Sequence, residues 1–77
     1  MNTKEIVLGI LAEVKPTKDL SDVPDIVEGG YIDSFELMSL IMFINDKFGI
    51  EVSLEDMTPE NFNTVDGIVA MVERLKG

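Results

Sequence analysis

Three stretches of this chain carry apolar residues at helical spacing, and proline or glycine breaks the pattern between them. Ile6, Val7, Ile10, Leu11 and Val14 make the first stripe and predict a helix over about Thr3 to Lys15. Asn2 with Glu5 offers it a capping box, and Pro16 ends it. A second helix is expected from Asp33 or Ser34 to near Phe48, with Gly49 in the place of a C′ residue and Lys47 in the last turn. Its buried face is read as Phe35, Met38, Ile41 or Met42, and Phe48, with Leu40 and Ile44 beside them. The last stripe, Val65, Ile68, Val69, Val72 and Leu75, predicts a helix capped by Thr64 and ending near Leu75, with Arg74 and Lys76 at its C-terminal dipole. Gly67 weakens its first turns by up to ~1 kcal/mol relative to alanine.

Between these helices lie shorter signals. Ile50-Glu51-Val52 is too short for a strand and reads as a connector. Ser53 with Asp56 marks a short helical turn, and Thr58-Pro59 marks another that ends near Phe62. Residues 16–32 form a long connection in which Leu20, Val23, Ile26 and Val27 stand between Pro16, Pro24 and Gly29-Gly30, and the glycine pair gives it freedom to turn. Those apolar residues predict a loop that packs across the bundle. The expected fold is all-α: a small antiparallel three-to-four-helix bundle with a long loop between helices one and two, in a single domain spanning 1–77.

Composition narrows the chemistry. At 77 residues, folding buries only about 60% of the unfolded chain's surface, so the core is modest. There is no cysteine for a disulfide or thiolate metal site, and no histidine. A Ser-His-Asp hydrolase is thereby excluded within the chain, and no catalytic residue or metal site is expected. Fifteen acidic residues against six basic ones give a formal charge of −9, which repels nucleic acid and steers the chain toward basic surfaces on other proteins. An EF-hand starting at Asp22 fails, because Pro24 and Ile26 fall at ligand positions and Val27 where glycine is needed. No run approaches the ~18 apolar residues of a membrane span, and no apolar signal segment opens the sequence; a cytoplasmic monomer without membrane insertion is expected.

One polar residue stands out. Ser34 sits where the glycine-bearing segment Glu28-Gly29-Gly30-Tyr31-Ile32-Asp33 turns into the second helix. A hydroxyl there projects beside N–H groups that lack intrahelical partners, a place suited to a phosphate ester. The local pattern also has a plainer reading. Asp33 followed by Glu36 is a capping-box spacing, and Ser34 can be an ordinary first residue of the helix.

Beyond these local features, the chain resembles the acyl carrier protein family, the phosphopantetheine-dependent carriers, over nearly its whole length. The resemblance rests on Gly-x-x-Asp-Ser-Phe at 30–35 in register with Phe48-Gly49-Ile50 and with Asn61-Phe62 before Thr64. It implies that Ser34 bears a covalent 4′-phosphopantetheine arm through a phosphodiester. It implies that Asp33 lies beside the magnesium and phosphates in the phosphopantetheinyl transferase, and that Glu36 matches an acidic position met by partner enzymes. Other implied partners are an acyl- or aminoacyl-loading ligase and downstream acyl-transfer enzymes.

The chain departs from the family's commoner pattern at two places. Phe35 stands where leucine is usual, and Asp-Ser-Phe is similar to the form in D-alanyl carrier proteins and various stand-alone carriers. Ser39 and Asn45-Asp46-Lys47 make the second helix less acidic than in fatty-acid carriers, which shifts partner affinity toward Leu37 with Met42 or Phe43. Three functions stay open: a stand-alone carrier of an acyl or aminoacyl thioester, a housekeeping fatty-acid carrier, and an unmodified helical adaptor that binds through Leu37, Met42 and Phe43. Those apolar residues have a structural reading too, since a small bundle buries its central helix on most sides. The long loop and the short third helical segment are expected to be the more mobile elements and to flank any cargo pocket between helices two and three.

Overall fold

The three long helices each start where a capping side chain accepts from an amide of the first turn. The computed structural model describes residues 2–77. Helix α1 spans Thr3–Val14, and Asn2 accepts from the Glu5 amide while the Glu5 side chain accepts from Asn2 in return. Helix α2 spans Ser34–Phe48 with the same reciprocal cap between Asp33 and Glu36. A single 3-10 turn follows at Leu54–Asp56, then a short α3 at Pro59–Phe62 and α4 at Val65–Lys76. No strand occurs among the described residues. Lys15 caps α1 from just outside it, one residue earlier than the sequence suggests, and Gly49 closes α2 in the left-handed conformation.

Helix α1 lies against both α2 and α4, and α3 lies against α4. It runs opposite to α2, because Lys15 meets Glu36 at one end and Glu5 and Ile6 share a groove with Lys47 at the other. Helix α4 runs alongside α2 in the same sense. The residues ahead of each helix touch at Glu28 and Asn63, and their far ends meet where Lys76 lies over the Phe48 ring.

The core joins Val7, Ile10 and Leu11 of α1, Leu40, Ile41 and Ile44 of α2, and Val65, Ile68, Met71 and Val72 of α4. The long loop adds Leu20, Ile26 and Ile32, so it is part of the core and crosses the bundle as its apolar residues require. Each fully buried aliphatic side chain contributes about 1.5–3 kcal/mol relative to exposure.

The inward face of α2 differs from the sequence expectation. Phe35 and Met38, expected on the buried face, are 80% and 52% exposed. The buried set is Leu40, Ile41 and Ile44, with Leu37 and Phe48 packed half-buried against it. This helix is apolar around most of its circumference, so spacing alone leaves its rotation open. The placement of α1 and α4 fixes it, and the Phe35–Met38–Met42 edge is left outside. On α4, Met71 joins the core, while Val69 and Leu75 sit at its margin.

Gly67 also finds its reason. A Cβ there would lie 2.6 Å from the Glu60 carbonyl oxygen and 3.1 Å from the Thr64 hydroxyl. The missing side chain lets the backbone of α3 close onto the start of α4.

Candidate functional site

The loop preceding α2 is held by its own backbone. The Gly29 amide donates to the Asp25 carbonyl, Gly30 to Val27 at 3.1 Å, and Tyr31 back to Ile26 at 3.1 Å. Gly30 sits at a φ of 75°, a conformation that L side chains rarely adopt. The chain then buries Ile32 and emerges at Asp33 with an extended backbone. Asp33 accepts the Glu36 amide on Oδ1 at 2.7 Å, and its own amide donates to Glu36 Oε1 at 2.9 Å. Its carbonyl accepts the Leu37 amide at 2.8 Å. The other carboxylate oxygen of Glu36 takes Lys15 Nζ at 3.4 Å.

Ser34 is thus the first residue of a doubly anchored helix start, and it is exposed. Its hydroxyl makes no hydrogen bond to another described residue. The chain has three more serines, and none is placed like it. Ser21 is bound to Asp19, Ser53 donates its amide and hydroxyl to Asp56 Oδ2, and Ser39 is half-buried in the middle of α2. Among the four serines, Ser34 alone offers an exposed, unengaged hydroxyl at a helix start.

The electrostatics of this corner are mixed. The opening amides of α2 favour an anion, but the cap takes the Glu36 amide, and Asp33 and Glu36 add negative charge. Lys15 offsets part of that charge through Glu36. Exposure and a fixed backbone, more than anion attraction, are what the corner offers to a phosphodiester on Ser34. The residues present fit such a group sterically: the Ser34 hydroxyl faces solvent, and its neighbour Phe35 projects outward.

The residues singled out from sequence separate into two places. Asp33, Ser34 and Glu36 come together at the start of α2. Met42, 67% exposed, and Phe43, 37% exposed, lie farther along its outer face with Phe35 and Met38. Leu37 does not join them. It lies about 140° around the axis from Met42, at ~100° per residue, and packs half-buried against the core.

Two grooves lie along the Ser39–Phe43 side of α2. One, of about 330 Å³, is lined by Ser39, Met42, Phe43 and Asp46, and the other, of about 410 Å³, runs between Glu13 and Val14 of α1 and Asp33, Phe35 and Phe43. Both open on the outer and α1 sides of α2. Neither lies between α2 and the short 53–62 segment, where a cargo pocket was expected.

Sequence reasoning missed Asn63, which lies between the Asn61-Phe62 pair and Thr64. Its side-chain oxygen accepts the amides of Val27 and Glu28, each at 3.0 Å, and its Nδ2 donates to Glu28 Oε1 at 2.7 Å. No local pattern could have found these bonds, because their partners stand 35 and 36 positions away.

Comparison with known proteins bears on this corner. The family described as phosphopantetheine attachment site matches residues 5–72. The D-alanyl carrier protein of Staphylococcus saprophyticus subsp. saprophyticus is 37% identical over 78 residues, spanning 99% of this chain and 100% of that protein.

Proposed function

Given that the chain belongs to the phosphopantetheine attachment-site family, non-catalytic carriers whose 4′-phosphopantetheine is esterified to a serine, we propose that Ser34 is that serine and that the chain works as a stand-alone aminoacyl carrier. The exposed, unengaged hydroxyl of Ser34 at the capped start of α2 is the observation that carries this reading. In the modification, Ser34 Oγ attacks the β-phosphorus of coenzyme A. The serine proton passes to a base of the phosphopantetheinyl transferase, a phosphodiester forms, and adenosine 3′,5′-bisphosphate leaves. The chain has no histidine, the usual general base near neutral pH, and the enzyme supplies the base in this reading. The arm supplies a terminal thiol on which cargo is held as a thioester.

The cargo class is read from likeness and from shape. The full-length similarity to a D-alanyl carrier protein favours a small amino acid, D-alanine first. The grooves beside α2 are open surface features, which suits a short cargo on a mobile arm better than a long acyl chain needing an enclosed cavity. Partners are then the transferase, an aminoacyl-loading ligase and an acyl-transfer enzyme that removes the cargo. They meet Asp33 and Glu36 near the arm and Phe35, Met42 and Phe43 along the outer face. The chain acts as a monomer of one domain in the cytoplasm, where coenzyme A is available. Among the described residues no helix is long and apolar enough to cross a membrane.

The test is competitive loading. The holo protein is offered an adenylating ligase with ATP and D-alanine, and separately a fatty-acyl ligase with ATP and a long-chain acid. Hydroxylamine-labile label from D-alanine alone is expected. Label from the fatty acid alone would return the housekeeping reading.

A further inference from the structure

We propose that Asn63 is a positioning residue for the modification of Ser34, acting by locking the loop ahead of α2 onto the corner between α3 and α4. This rests on the reading of Ser34 given above. The corner and the loop are joined by more than one bond. The Asn63 backbone oxygen accepts the Ile26 amide at 2.8 Å, and the side-chain oxygen accepts the next two amides, Val27 and Glu28. The Asn63 amide in turn donates to the Pro59 carbonyl at 2.8 Å, so the residue is fixed from behind by α3.

The rigidity passes on toward Ser34. Tyr31 donates back to the Ile26 carbonyl, and Ile26 and Ile32 are buried at 0% and 4% exposure. The segment from 26 to 32 is therefore pinned at both ends, and Asp33 with Ser34 leaves it at one place. The cap of α2 uses only Asp33 and Glu36. Losing Asn63 leaves the reactive hydroxyl and its helix intact but frees the ledge that presents them.

Asparagine is the one side chain of this length that meets all three partners. It accepts from two amides with Oδ1 and donates to the Glu28 carboxylate with Nδ2. Aspartate keeps the acceptor but sets a second carboxylate against Glu28. Asn63→Asp is thus a defect with a defined cure, Glu28→Gln, whose amide donates to the new carboxylate.

The consequence is a specific kinetic signature. If only a fraction of molecules presents Ser34 in the docked geometry, the apparent KM for the transferase rises by the inverse of that fraction while turnover of the bound complex is kept. A loss of general stability predicts no such split at temperatures where the chain is folded.

The experiment compares wild type, Asn63→Ala, Asn63→Asp, Asn63→Asp with Glu28→Gln, Ile10→Val as a core control, and Ser34→Ala as a control for the premise. Transfer from coenzyme A is followed with magnesium and a broad-specificity phosphopantetheinyl transferase, and amide exchange is read at Val27 and Glu28. Expected for Asn63→Ala is a KM raised about fivefold or more with kcat within about twofold, and faster exchange at both amides. Asn63→Asp should share the defect, and Glu28→Gln should restore it. Ile10→Val should lower the melting temperature with no change in KM or in those two amides. An unchanged KM in Asn63→Ala, or an equal rise in Ile10→Val, would overturn the proposal. Should Asn63→Ala fail to fold, the Asn63→Asp single variant and its combination with Glu28→Gln decide the matter: KM restored by the second change supports the proposal, and KM left unrestored overturns it. Wild type that takes no arm, or a Ser34→Ala chain that does, removes the premise instead and is read from those two samples alone.

Discussion

Lys15 and Glu36 meet at 3.4 Å, with their side chains 31% and 24% exposed, and tie the end of α1 to the first turn of α2. The same Glu36 carboxylate uses its other oxygen to accept the Asp33 amide at 2.9 Å. One side chain therefore fixes both the cap beside Ser34 and the helix packed against it.

These two tasks come apart by substitution. Glu36→Gln keeps an acceptor for Asp33 and loses only the ion pair, so it should cost about 0–1 kcal/mol. Glu36→Ala loses the reciprocal cap as well and should cost about 1 kcal/mol more. Urea titration of the two variants checks the order. Equal stabilities would mean that the cap does not hold α2.

Asp33 has a structural task and a proposed recognition task. Asparagine caps a helix as well as aspartate, so Asp33→Asn should stay within about 0.5 kcal/mol of wild type, whereas Asp33→Ala should lose about 1 kcal/mol. Transfer of phosphopantetheine to Asp33→Asn should nevertheless slow by roughly tenfold or more, the rate equivalent of ~1.4 kcal/mol. Thermal melts and initial transfer rates on the same samples separate the two.

The outer face of α2 can be altered without touching the core. Phe35 and Met42 are 80% and 67% exposed, so Phe35→Ser and Met42→Ser should change stability by no more than about 0.5 kcal/mol. Loading by the partner ligase should fall, and the loss should change little with ionic strength because the contact is apolar. Leu40→Ala, at a fully buried position of the same helix, should instead cost about 2–5 kcal/mol.

Acid sensitivity is expected where α1 meets α4. The Thr3 hydroxyl donates to Glu73, and Lys76 lies beside it, which together hold the Glu73 carboxyl below its ordinary range. A depressed carboxylate binds fewer protons in the folded state than in the unfolded one, so stability rises with pH there. The contribution is present above the unfolded value and is lost as pH falls through the folded one. Thr3→Ala should be less stable than wild type at neutral pH, and the difference should vanish at low pH. The pair is exposed, so added salt should shrink the effect. Melting curves from neutral to acid pH measure it.

Gly67→Ala tests the joint between α3 and α4. Alanine improves helix propensity by up to ~1 kcal/mol, but its Cβ would sit 2.6 Å from the Glu60 carbonyl oxygen. A net loss of stability is expected in urea titration. A gain would mean that the α3 backbone yields at little cost.

Much of this was legible in the chain because it is local chemistry. Asn2 with Glu5, Asp33 with Glu36, and Thr64 with Gly67 are short-range pairs that cap three helices as their spacing suggests. Ser34 stood out for the same reason. The rotation of α2 was not legible. Phe35, Met38 and Met42 stand beside the narrow polar stripe of Glu36, Ser39 and Asp46 and blur the outer side, and the neighbours that decide burial are distant in sequence. The grip of Asn63 on the loop was hidden likewise, because an asparagine before a threonine-capped helix looks like turn chemistry until its partners are in place.

Modification of Ser34 tests the central claim most directly. The purified chain and its Ser34→Ala variant are incubated with coenzyme A, magnesium and a broad-specificity phosphopantetheinyl transferase shown to be active on a known carrier, and intact masses are recorded. The wild type should gain one phosphopantetheinyl group and the variant none. A gain on both, or on neither, would contradict the assignment of the arm to Ser34.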